Sequence, residues 1–420
     1  MAAPTTREQL SGQKPTRARY WVIFFAVTLA ILAYIDRVCI SMAMPRIAKD
    51  LGFSGLQSGA IFSAFALAYA LFEVPGGWLG DWMGPRKVLM RIVIWWSAFT
   101  ALTGAMWNFT SLWVTRFLFG AGEAGCFPNL TKAFTIWLPA DERVRAQGIM
   151  WMFARWGGAF TPPLVFLVFK LMDWRHAFVL FGALGVLWAV PFYLWFRDNP
   201  RDHKSPNQAE LALLAGSEHL AGSHGDVRDR SILSFPWYFF ITWLPTYLKE
   251  ARGLDDRTTA AYAIFPLLFG GCGSFICGLV SARVAMAFGS VRTSRRVLAV
   301  VGFLGASLMT VVCINTANPL FAMIAMGMAS FCNDLVMPGS WGACMDVGGK
   351  YAGTLSGSMN MIGNMAGFVA PTLGGYLKDA TGGFDAFLYT MAAVYLLGAL
   401  CWPLIDPVTP LDRDEPARQH

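Results

Sequence analysis

Asp36 and Arg37 stand side by side inside an otherwise apolar, helix-length run from Tyr20 to Met44. A bare charge near the middle of a bilayer costs roughly 2.5–3.5 kcal/mol on insertion scales, so such residues persist where they face a protected polar cavity. In a second apolar run, Arg116 and Glu123 are spaced so that both fall on one face of a helix, and Tyr34 and Arg37 likewise share a face. Arginine suits anion capture, because its planar fork meets a carboxylate through two parallel hydrogen bonds and stays protonated when desolvated. Aspartate and glutamate suit switching, because burial and a neighbouring arginine pull a carboxyl pKa in opposite directions. The same four charges could instead brace two helices as a static ion-pair network.

The elements that must position these residues are membrane helices. With 55% hydrophobic residues, 14% charged residues and 17 Trp in 420, the chain is too apolar for a soluble enzyme and too long for a simple anchor. Runs long enough to span the hydrocarbon core number twelve, at about 20–44, 54–80, 88–107, 109–138, 146–172, 175–196, 232–248, 258–282, 297–315, 318–345, 352–378 and 384–405. The expected fold class is an all-α membrane protein of twelve transmembrane helices in two six-helix halves. Its parts are an N-terminal tail (1–19), a first half (20–196), a linker rich in Pro, Gly and mixed charge (197–231), a second half (232–405) and a C-terminal tail (406–420). The first run is too long for a signal-peptide core and is expected to be retained.

Most of the 33 lysines and arginines fall in alternate loops, on the side that holds both tails, which places the termini in the cytoplasm of a plasma membrane, a bacterial inner membrane being expected. The net charge of +7 then reflects topology and attraction to anionic lipid, with no nucleic-acid partner. Eight cysteines without a CxxC spacing argue against disulfides and zinc, and no histidine lies in a helix core, which disfavours a membrane-embedded enzyme. No cofactor or metal is expected. The halves repeat weakly: Gly77-x-x-x-Asp81 returns as Gly278-x-x-x-Ala282, and Pro162 with Ala177-Phe178 returns as Pro371 with Ala386-Phe387.

The loop Gly77-Trp-Leu-Gly-Asp81-Trp-Met-Gly84-Pro-Arg86-Lys87 resembles the loop signature of the major facilitator superfamily. Its glycines permit close helix approach, Asp81 can pair with basic groups at a neighbouring helix end, and Arg86 and Lys87 hold the cytoplasmic face, so these three are gating candidates. A narrower resemblance rests on Tyr34-Ile-Asp36-Arg37, on Arg116 through Gly120-Ala-Gly-Glu123-Ala-Gly-Cys-Phe-Pro128, and on Trp237 through Leu248. Together these are similar to the anion:cation symporter family, which includes sugar-acid transporters. The resemblance implies that Arg37 and Arg116 contact a substrate carboxylate, that Asp36 and Glu123 carry coupling protons, and that Tyr69 and Asn360 line the cavity.

Other residues join the candidate list on position. Arg155, one turn from Trp151, either extends the site, where it would favour a second carboxylate or another strong acceptor, or packs between helices or snorkels. Asn364 takes the repeat slot of Arg155 and shares a face with Asn360; Asp334 and Trp341 share a face, and Trp341 could cover a sugar ring or simply pack. Glu73 is a third protonatable group or a partner for a basic helix end, and Lys132 is expected to snorkel.

Two departures from the family pattern stand out. Ala282 replaces the usual aspartate, predicting a one-sided latch, and the seventh run is short, with Pro236 and Pro245 inside it. The reading is a monomeric secondary transporter in membrane lipid, importing a small carboxylate with protons by alternating access. Hexonates, hexarates and hexuronates are the foremost substrates. Sodium-coupled or exchange transport of another carboxylate, or a transport-impaired receptor, are the alternatives.

Overall fold

A computed structural model describes residues 14–215, 239 and 243–409. Among them the chain is helical and contains no strand. The first half comprises α1 (Arg19–Leu51), α2 (Gly55–Met83), α3 (Pro85–Thr103), α4 (Phe109–Glu123), α5 (Cys126–Trp137), α6 (Ala140–Leu171) and α7 (Trp174–Trp195). A short α8 (Gln208–Ala215) opens the linker. Then come α9 (Leu244–Glu250), α10 (Asp256–Tyr262), α11 (Ile264–Phe288), α12 (Val291–Asn315), α13 (Pro319–Asp334), α14 (Met337–Gly348), α15 (Ala352–Thr381) and α16 (Asp385–Cys401).

Eight of the described helical stretches are individually long and apolar enough to cross a membrane. The fourth and tenth spans are each built from two helices, α4 with α5 and α13 with α14. Of the expected seventh span, residue 239 and the stretch from Trp243 through α9 lie within the described residues; its expected shortening and five of the twelve residues of the Trp237 to Leu248 motif fall outside them.

Both breaks have local causes. Gly125 has φ 82°, a left-handed conformation that costs glycine little, and it separates α4 from α5 directly after Glu123. The Asn129 amide donates to the carbonyls of Gly125 (2.8 Å) and Gly76 (2.9 Å), satisfying backbone oxygens at the break. In the tenth span Pro338 sits at the second position of α14 and offers no N–H to the carbonyl of Asp334, where α13 ends.

Within the first half α1 packs on α6, α2 on α4 and α3 on α7; within the second, α11 packs on α13, and α12 on α13 and α16. The halves meet along α2 with α15 and α6 with α11. Both described ends of the chain lie on one face of the bundle, hereafter the terminal face: Arg19 bonds Glu142 at the start of α6 (2.9 Å) and Glu210 of α8 (3.1 Å), while Arg295 donates to the carbonyl of Pro407 (2.5 Å).

Glycine sets how closely the halves approach there. A Cβ at Gly77 would lie 2.2 Å from the carbonyl oxygen of Gly353, and one at Gly148 would lie 2.5 Å from that of Ser274. Overpacking of this kind costs about 1–3 kcal/mol. Gly77→Ala should therefore lower the closed population of the terminal face about 5- to 150-fold. Spin labels at Lys87→Cys and Arg283→Cys, with the exposed Cys401 replaced by serine, report it as a longer distance; an unchanged distance distribution would show that this contact does not seal the face.

Candidate functional site

α1 supplies Tyr34, Asp36 and Arg37 near its middle, and α4 supplies Arg116 and Glu123 from one of its faces. Glu123 is wholly buried as the last residue of α4, where the glycine break turns the chain away. Arg37 Nε donates to Glu123 Oε1 at 2.6 Å, so α1 and α4 are joined by a charged hydrogen bond inside the apolar core. The Arg37 guanidinium lies in an aromatic cage, 4.5 Å from the Tyr69 ring centre, 5.7 Å from Tyr34 and 5.5 Å from both Phe65 and Phe127. Arg116 is buried against Phe119 (4.1 Å) and Phe65 (5.5 Å), and Asp36 is buried as well.

This cluster has unspent hydrogen-bonding capacity. Arg37 Nη2, Arg116 Nη1, Asp36 Oδ1 and Glu123 Oε2 are all buried without a hydrogen-bond partner. Leaving a buried polar atom unmet costs about 1–3 kcal/mol, and more when the group is charged. Two unmet guanidinium nitrogens beside two unmet carboxylate oxygens can take a carboxylate on the arginines and protons on the acids.

Around this centre the structure gathers most of the other candidates. Asn360 of α15 donates to the Tyr69 hydroxyl (3.5 Å) and to Glu73 Oε1, linking the halves and giving Glu73 a protein partner. Asn364, one turn on, donates to the carbonyl of Asn360 (2.9 Å). Trp341 is fully buried against Trp151 (5.5 Å) and Phe127 (6.5 Å), and Trp151 stacks on Phe127 (4.7 Å), forming an aromatic wall behind Arg37.

Arg155, expected to extend the site or to pack between helices, makes a two-pronged pair across the halves. Its Nε donates to Asp334 Oδ2 (2.8 Å) and its Nη2 to Asp334 Oδ1 (3.0 Å), and the Asn333 amide adds 2.9 Å to Oδ1. The guanidinium fork is thus taken by a protein carboxylate that sequence reasoning left without a role. A signal was present, since Pro128 and Pro338 stand at nearly the repeat offset and put Asp334 within one residue of the slot of Glu123.

The three gating candidates separate on the terminal face. Asp81 crosses to the second half, accepting from the N–H groups of Gly353 (3.0 Å) and Thr354 (2.6 Å) at the start of α15 and from the Thr354 hydroxyl (2.7 Å). A carboxylate at a helix N-terminus is favoured by the partial positive charge there. Arg86 and Lys87 do not cross. Arg86 holds the end of α7 through the Tyr193 carbonyl (3.1 and 2.7 Å) and through Asp198, whose carboxyl burial pushes above its usual value; Lys87 is exposed.

Lys132 does not snorkel: it is buried, pairs with Asp81 (3.2 Å) and donates to the carbonyl of Lys350, because an acid and a backbone carbonyl lie within its reach. Nor is the latch one-sided. Asp346 of α14 bridges Arg143 of α6 (3.1 Å) and Arg295 of α12, supplying from another helix the acid that Ala282 lacks.

The Major Facilitator Superfamily model matches residues 26–371. The chain is 36% identical over 417 residues to a probable sulfoacetate transporter of Cupriavidus necator, covering 94% of this chain and 96% of that one. It is 30% identical to a probable L-galactonate transporter of Escherichia coli (92% and 89%) and 28% identical to a hexuronate transporter of Bacillus subtilis (87% and 90%). Among solved structures it is similar to the Escherichia coli fucose:proton symporter, with TM-score 0.69 at 16% identity over 92% of this chain and 99% of that one, a likeness of fold.

Proposed function

The chain belongs to the Major Facilitator Superfamily, a family of transporters rather than enzymes, and from that premise we propose that it moves a small organic anion together with protons across the plasma membrane. The observation that carries this reading is the buried cluster in which Arg37 Nη2 and Arg116 Nη1 lack partners beside the unmet oxygens of Asp36 and Glu123. Ionised, these four groups sum to zero charge. An added carboxylate would leave an uncompensated negative charge in a desolvated site, which is strongly unfavourable. A proton on Glu123 restores neutrality and at the same time frees Arg37 Nε for the substrate.

The substrate carboxylate then docks on Arg37 and Arg116, with Tyr34, Tyr69, Asn360 and Asn364 available to hydroxyls or other polar groups and Trp341 within the aromatic wall. Sugar acids (hexonates, hexarates, hexuronates) fit this chemistry. So does sulfoacetate, named for the Cupriavidus necator relative, which carries a carboxylate and a sulfonate.

With both tails cytoplasmic, as the distribution of basic residues favours, the sealed terminal face makes this an outward-open or occluded state of a bacterial inner-membrane importer. The halves 20–196 and 232–405 are the bodies that rock, joined by the linker 197–231, and a single chain contains the whole site. The test is accumulation in proteoliposomes of labelled sulfoacetate and D-glucarate. An inward proton gradient should drive accumulation of one or both; accumulation driven only by sodium, or only by counter-anion, would replace the proton reading.

A further inference from the structure

Asp334 repeats in the second half what Glu123 does in the first. Each is the last residue of the first helix of a broken span, each is fully buried, and each is bonded to a buried or half-buried arginine of the neighbouring helix layer. The Arg37–Glu123 pair lies within the first half, whereas Arg155 reaches from α6 to Asp334 on α13, across the interface between the halves. Tyr34 lies between the two pairs: its ring is 5.7 Å from the Arg37 guanidinium carbon, and its side chain interacts electrostatically with Arg155.

Space is kept for this carboxylate. A Cβ at Gly270 of α11 would lie 2.8 Å from Asp334 Oδ2, and one at Gly158 of α6 would lie 2.9 Å from the Tyr34 ring. A guanidinium fork with both prongs on a carboxylate has the geometry that a substrate acid would need.

We propose that Arg155 is a second anion subsite, occupied in this state by the protein's own Asp334, and that it takes the distal acid, carboxylate or sulfonate, of a compact two-headed anion whose first acid sits on Arg37 and Arg116. This rests on the organic-anion reading above and names its substrate class. Because a single tyrosine side chain separates the two arginines, the anion is short, or folds back if it has six carbons. Asp334 acts as a tethered competitor: it keeps Arg155 paired when the site is empty, so the guanidinium is never buried alone, and a two-acid anion must displace it, with a proton on the freed Asp334 carboxyl keeping the site neutral.

Binding to the purified full-length protein in nanodiscs tests this with two pairs of probes, each pair differing in one acid: sulfoacetate against methylsulfonylacetate, and D-glucarate against D-gluconate. The readout is the ratio of the two Kd values within a pair. Wild type should favour the diacid. Asp334→Asn, which removes the competitor but retains hydrogen bonding, should raise the preference tenfold or more.

Arg155→Gln should reduce the preference to about one. That protein buries an unpaired Asp334 and can fold poorly, so the double variant Arg155→Gln, Asp334→Asn provides a neutral background in which the preference should also be about one. If the ratio is unmoved in all three variants, or if both members of a pair weaken in parallel, Arg155 and Asp334 only brace the halves and the subsite is overturned. Failure of the parent reading looks different: no probe of either pair binds wild type, or Arg37→Gln leaves the binding of every probe intact.

Discussion

Arg37→Gln should weaken binding of the transported anion by about 100-fold or more, measured by titration of the purified protein. Removing one partner of a buried, hydrogen-bonded charge pair costs about 2–5 kcal/mol, and about 1.4 kcal/mol is a factor of ten. Arg37 has two prongs to lose: Nε, which Glu123 holds at 2.6 Å, and Nη2, which is buried without a partner. Arg116→Gln should have a similar effect through Nη1, which also lacks a partner.

The substitution leaves Glu123 buried without its arginine, so loss of fold must be separated from loss of binding. The double variant Arg37→Gln, Glu123→Gln removes both charges and should restore thermal stability while remaining defective in binding. Arg37→Lys keeps the charge but loses the planar fork and should recover only part of the affinity. Normal binding by Arg37→Gln would reduce the Arg37–Glu123 pair to a brace between α1 and α4.

What can be read from the sequence is whatever announces itself locally. Arg37 and Glu123 are conspicuous because a charge inside an apolar run is costly wherever it occurs, and helical spacing alone puts Arg116 and Glu123 on one face. The twelve-span, two-half fold follows from run length and from the weak internal repeat, and the family model agrees with it. Boundaries are less legible. The fifth span begins at Ala140 rather than near 146, because its first turn holds Asp141 and Glu142, polar residues that a hydropathy run leaves out and a helix N-terminus welcomes.

Pairing is not legible. Nothing local distinguishes Asp334 as the partner of Arg155, because the two are on different halves and meet only when α6 packs on α11 and α11 on α13. The snorkelling expected of Lys132 fails for the same reason: its acid, Asp81, and its carbonyl, at Lys350, come from elsewhere in the chain. The absence of an acid at Ala282 correctly marks a departure from the repeat, but the compensating Asp346 sits on another helix, where a motif comparison does not look.

Glu123→Gln should separate exchange from accumulation. In an electroneutral cycle that moves one proton with one monovalent anion, one unit of inward pH gradient supports about a tenfold accumulation, equivalent to about 1.4 kcal/mol. For a divalent anion, the same gradient supports the square of that ratio if two protons move. A glutamine at 123 is permanently neutral and resembles the protonated acid: it cannot hold Arg37 as an ion pair, so the arginine is open to substrate at any pH, and it cannot release a proton on the far side.

Labelled substrate should therefore still exchange for unlabelled substrate across the proteoliposome membrane, while the accumulation ratio under a pH gradient falls to about one. Asp36, also buried and with Oδ1 unmet, is the remaining acid of the cluster. Asp36→Asn with Glu123 intact decides whether it carries a proton of its own or only balances Arg116. Retained gradient-driven accumulation in Glu123→Gln would transfer the coupling role to Asp36, and retained accumulation in both would remove it from this cluster. Since Glu123 holds Arg37 directly, the larger loss is expected there: protonation of that one carboxylate changes both the charge of the site and the availability of the anion-binding fork.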